Sequence, residues 1–107
     1  MNTQYLNPEG ISKPTGYTHV VVTDARKTVY ISGQIGVTSD GTVQEGLRAQ
    51  TVQVFENLKA ALASVGATFD NVVKMTTLIV NYKPEDRMII REVRALYLNP
   101  AQPPPAP

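Results

Sequence analysis

Leu47-Arg-Ala-Gln-Thr-Val-Gln-Val-Phe-Glu-Asn-Leu-Lys-Ala-Ala-Leu-Ala-Ser-Val65 places apolar residues at 47, 54, 55, 58, 62 and 65, with Thr51 filling the gap and Gln, Glu, Asn and Lys between them. Steps of three and four keep these positions on one side of a helix. The spacing therefore predicts an amphipathic helix, and Gly66 predicts its C-cap. What flanks this helix decides the fold class.

Upstream, Thr18 to Thr23 and Thr28 to Gly33 are β-branched and aromatic-rich runs separated by Asp24-Ala25-Arg26-Lys27, a pattern that predicts an antiparallel hairpin. The Pro-to-Gly punctuation at Asn7-Pro8-Glu9-Gly10 and Lys13-Pro14-Thr15-Gly16 predicts a lead-in loop with at most one short strand. Three glycines and Ser39-Asp40-Gly41 predict a loop between the hairpin and the helix.

Downstream, Val72 to Asn81 predicts a third strand: Val73, Met75, Thr77 and Ile79 alternate with Lys74, Thr76, Leu78 and Val80, and the apolar end suggests deeper burial there. Pro84, Glu85 and Asp86 suit the first turn of a second helix, whose inward stripe is Ile89, Val93, Leu96 and Tyr97. Asn99-Pro100 ends it, and the proline-rich residues 99–107 predict an extended tail. The order β-β-α-β-α describes one α+β domain over residues 1–107, with both helices on one face of a sheet.

A chain of 107 residues buries a smaller fraction of its surface than a longer one, which favours help from neighbouring subunits. Ten Lys and Arg against nine Asp and Glu leave no run of like charge, so neither nucleic acid nor a membrane surface is indicated as partner. The absence of Cys excludes disulfides and thiolate chemistry, and the single His19 supplies a metal poorly. No apolar run approaches the roughly 20 residues that span a bilayer, and the N-terminus lacks signal-peptide character. A cytoplasmic location is the expectation.

Gly16-Tyr17, Tyr30-Ile31-Ser32-Gly33-Gln34-Ile35, Gln50-Thr-Val-Gln-Val-Phe-Glu-Asn-Leu58, Val73-Lys74-Met75-Thr76-Thr77, and Tyr97 followed by prolines occur in an order and spacing that resemble the Rid (YjgF) family. Ser32-Gly33-Gln34 is the most specific piece, and the likeness runs from about residue 5 to residue 107. The resemblance implies a chorismate-mutase-like (ferredoxin-like) fold ending before its last two strands, and a homotrimer with clefts between subunits for small carboxylate-bearing molecules. It also implies hydrolysis of reactive imines or enamines to keto acids and ammonia, without a cofactor.

Carried over residue by residue, the resemblance puts Tyr17 and Ser32 at cleft-lining positions, with Gly33 allowing close backbone approach. Arg91 stands where deaminases commonly have Asn, and Pro107 stands where the family's carboxylate-clamping Arg would follow a Pro-Ala pair. Arg91 is thus the candidate replacement clamp, sharing a helix face with Arg87 and Arg94. The plainer readings are a packing Tyr17, a backbone-bonded Ser32 and a solvated arginine face. His19 reads as structural. A non-catalytic keto-acid binding module is the alternative function. An endoribonuclease or translation inhibitor, as some relatives are labelled, comes last, because one His without a basic patch supplies RNA cleavage poorly.

Overall fold

The computed structural model describes residues 3–14 and 17–99. Its elements are β1 (Thr3–Leu6), β2 (Val20–Thr23), α1 (Leu47–Ala63), a short 3-10 helix at Phe69–Asn71 and α2 (Asp86–Ala95). They form an α+β arrangement in which the two helices pack on each other and the two strands pair. Gly16, Ala106-Pro107 and the tail from residue 100 onward lie outside the described residues.

The helix around Phe55 forms as its spacing requires, with Thr51, Phe55 and Leu62 buried. The Thr51 hydroxyl donates to the Leu47 carbonyl at 2.7 Å, which satisfies a polar group on the apolar face. Gly66 adopts φ +71°, its N–H bonding the Ala63 carbonyl while Ala67 N–H bonds that of Leu62. This pair of bonds is the Schellman closure, and it satisfies carbonyls that the helix itself leaves open.

The second helix begins where the proline and acids place it. Asp86 reaches back to accept the Lys83 N–H at 3.0 Å, holding the entering chain at the positive end of the helix. Val93, 1% exposed, packs with Phe55 and Leu98 to form the core, and Val52, Phe69, Met75 and Tyr97 close around them. Leu96 departs from the expected inward stripe at 77% exposure. It sits beyond the last helical residue, Ala95, where the 3.6-residue period no longer dictates its direction.

The strands differ from expectation more. β2 lies inside the first β-branched run, but its partner is β1, antiparallel, with Tyr5 opposite Val21 and Leu6 opposite Val20. Residues 28–33 join no ladder among the described residues, so the expected hairpin is corrected to a pairing with the lead-in segment. Two features explain the switch. Asp24-Ala25-Arg26-Lys27 lacks the Gly or Asn that tight hairpin turns favour. The connector from β1 is also pinned to β2 by the His19 N–H donating to Asn7 Oδ1 at 2.9 Å and by His19 Nε2 lying 2.6 Å from the Ser12 carbonyl. His19 is structural here.

Residues 72–79 likewise join no ladder among the described residues. Val73, Met75 and Ile79 are half-buried while Leu78 and Val80 are 91% and 87% exposed, so the expected deeper burial at the C-terminal half is reversed. The alternation survives without a strand assignment, because a strand needs a hydrogen-bonded neighbour as well as a pattern.

Residues 33–41 form a loop, as their glycines indicate. Thr38 and Asp40 bond side chain to side chain, Gly41 takes φ +89°, and Val37 bridges Val43 across the turn. Gly36 lies so close to α1 that a Cβ there would come within 2.7 Å of Gln50 Cα. Asn57, on α1, donates to the Ile35 and Val37 carbonyls at 3.2 and 3.0 Å.

Candidate functional site

Tyr17, three residues ahead of β2, is half-buried, its ring meeting the His19 ring edge to face at 5.1 Å. Ser32 is exposed, and its carbonyl accepts a bond from Gln34 Nε2 at 3.1 Å, leaving the hydroxyl outside that contact. Gly33 is exposed too, with open space wherever a side chain would stand. Backbone can approach a ligand there without obstruction.

Arg91 lies exposed on α2. One turn on, Arg94 is partly buried, and its Nη2 is buried with no hydrogen-bond acceptor among the described residues. Burial and the neighbouring Arg91 charge push the Arg94 guanidinium below the ordinary arginine range. A buried donor left unpaired costs free energy that an arriving acceptor recovers. The acceptor-less Arg94 Nη2, with the Arg91 charge nearby, suits a carboxylate, which accepts from the guanidinium while offsetting the repulsion between the two cations. Arg94 was visible in the sequence only as a neighbour of Arg91; its burial depends on tertiary packing.

A separate group of aromatics gathers where the middle of α1, the 3-10 helix and the turn after α2 meet. Phe55 and Tyr97 stack at 5.0 Å and 16°, and Phe69 meets Tyr97 at 5.6 Å and 60°. The Tyr97 hydroxyl donates to Glu56 Oε2 at 2.6 Å. That bond, with burial and the Glu56 charge adding to it, pushes the phenol up to about 12. Beside this group is a cavity of about 420 Å³ with Leu62, Phe69 and Tyr97 among its walls. None of Tyr17, Ser32, Gly33 and Arg91 lines it. Among the described residues no cluster of His, Cys, Asp and Glu is arranged to hold a metal ion. No helix among them is long and apolar enough to cross a membrane.

Comparison with known proteins agrees with this architecture. The family model described as endoribonuclease L-PSP matches residues 10–106. A crystal structure from Yersinia pestis, described as a protein of unknown function of the conserved Rid family, superposes with a TM-score of 0.83 at 34% identity, covering 99% of this chain and 85% of that one. A RutC family protein of Aquifex aeolicus is 39% identical over 56 residues, which is 51% of this chain and 45% of that protein. Human 2-iminobutanoate/2-iminopropanoate deaminase is 37% identical over 67 residues, 61% of this chain and 47% of the human protein. The matches thus span about half the length of these two curated relatives.

Proposed function

Since the chain belongs to the endoribonuclease L-PSP family, which includes the Rid proteins, we propose that it is a cytoplasmic deaminase of reactive imines and enamines derived from amino acids. Water adds to the imine carbon, the C–N bond breaks, and a keto acid and ammonia leave. Clamping the substrate carboxylate and orienting the water supplies much of the acceleration, and no cofactor enters the balance. The observation that carries this reading is the 67-residue likeness to the human deaminase. Arg91 takes the substrate carboxylate, with Arg94 beside it. Tyr17 and Ser32 line the cleft, and the Gly33 backbone approaches the ligand.

The same reading makes the subunit one of three, with a chorismate-mutase-like core and clefts at the seams. The apolar side chains left facing outward, Tyr30 at 92% exposure together with Leu78 and Val80, support a face that other copies cover. Light scattering coupled to gel filtration tests this, and a monomer at every concentration overturns it.

The deciding experiment for the chemistry is ammonia release from freshly generated 2-aminoacrylate or 2-iminobutanoate. Release above the buffer rate supports the deaminase, and release equal to buffer defeats it. A second reading, a keto-acid binding module without turnover, rests on the acceptor-less Arg94 Nη2, which supplies an anion contact but no group that moves a proton. Binding of 2-ketobutyrate without ammonia release is its signature.

A further inference from the structure

The cavity beside Tyr97 carries opposite charges at an apolar wall. Leu62, Phe69 and Tyr97 supply the apolar surface, with exposed Leu96 at its side, while Lys59 from the last third of α1 and Asp70 from the 3-10 helix also line it. The Lys59 ammonium and the Asp70 carboxylate make no ion pair or side-chain hydrogen bond among the described residues. The backbone that carries Asp70 is held, because the Thr68 hydroxyl accepts the Asp70 N–H at 3.2 Å and Asn71 Oδ1 accepts the Thr68 N–H at 3.0 Å. At about 420 Å³ the space falls within the range of small-molecule sites, roughly 300–1,000 Å³.

We propose that this cavity is a second binding site, distinct from the cleft proposed for Tyr17, Ser32 and Arg91, for a zwitterionic α-amino acid with an apolar, preferably aromatic, side chain. The side chain lies on Leu62, Phe69 and Tyr97, where aromatic surface contributes both area and ring geometry. Lys59 takes the carboxylate and Asp70 the ammonium group. A molecule with one charge satisfies one of these groups and leaves the other as it was, so the pair selects the zwitterion.

The test is an amide-resolved NMR titration of the full chain with L-phenylalanine, 3-phenylpropionate, which lacks the ammonium group, and 2-phenylethylamine, which lacks the carboxylate. Shifts from L-phenylalanine are expected to cluster at 59–63, 67–70 and 96–97, with the two single-charge analogues binding more weakly. Both rim groups are exposed, so Lys59→Met and Asp70→Asn leave the fold intact while each weakens L-phenylalanine binding, on the order of threefold for exposed charge pairs. Lys59→Met leaves 2-phenylethylamine unaffected, and Asp70→Asn leaves 3-phenylpropionate unaffected. Shifts that miss these segments, or equal binding of all three molecules, overturn the proposal.

Discussion

The Tyr97 hydroxyl donates to the Glu56 carboxylate across 2.6 Å, joining the turn that follows α2 to the middle of α1 over 41 positions of sequence. The ring stacks on Phe55 one residue before Glu56, so one side chain contributes an apolar contact and a polar one to the same helix pair. An Arg48–Glu92 ion pair at 2.5 Å links the same helices, but both side chains are half exposed and such pairs contribute little.

Tyr97→Phe keeps the stack and removes the bond, and is expected to cost about 1 kcal/mol in urea unfolding. The pH dependence has a defined sign. The phenol is raised from 10.0 to about 12, so folding favours the protonated form. That stability is fully present below pH 10 and is lost as pH rises toward about 12. The wild type and the variant should therefore converge in stability across that window, and a constant difference refutes the linkage.

Phe55→Ala removes the ring that touches Val93, Phe69 and Tyr97, and a buried aromatic truncated to Ala costs roughly 3–5 kcal/mol. Against a stability of about 5–15 kcal/mol for ordinary domains, this approaches loss of the fold. Phe55→Leu should lose less, and the order of melting temperatures, wild type above Leu above Ala, is the check.

Gly36→Ala and Gly33→Ala should behave oppositely. A methyl at 36 meets Gln50 at 2.7 Å and forces the loop off α1, at a cost of about 1–3 kcal/mol. A methyl at 33 meets nothing, so the melting temperature should stay put. If the Gly33 backbone approaches a ligand, the same change weakens 2-ketobutyrate binding, which calorimetry reads directly.

Arg91→Ala and Arg94→Ala are each expected to weaken 2-ketobutyrate about tenfold, the scale of one charge-assisted hydrogen bond. Arg94→Lys retains the cation and loses the fork, so it should recover part of the affinity at most. Unchanged binding in both alanine variants removes α2 from the carboxylate site.

Both helices were legible from the sequence because their signals are local. Phe55 and Leu62 repeat at helical spacing, Gly66 marks one end, and Asp86 marks the other helix's beginning. The pairing of β2 was not legible. Two β-rich runs adjacent in the chain suggest each other as partners, and Thr3-Gln-Tyr-Leu6 is too short to compete on pattern alone. Pairing is chosen by which edges meet, a long-range matter that Asn7, Ser12 and His19 help to decide.

The site divides in the same way. Arg91 and Arg94 show their common face at a glance, yet the buried, acceptor-less Nη2 of Arg94 depends on what packs over it. The cavity beside Tyr97 was invisible for the same reason, since Lys59, Asp70 and Leu96 come together only once the helices have crossed.

The Asn57 amide grips two carbonyls of the preceding loop, and Gly36 lets that loop lie flat on the helix. Residues 35–44 consequently share the lifetime of α1 instead of behaving as a free connector. Solvent deuterium should reach their amides at the pace of the helix, and a protease that spares α1 should spare this stretch with it. The run carrying Ser32 and Gly33 is therefore moored at its downstream end to the helical half of the molecule.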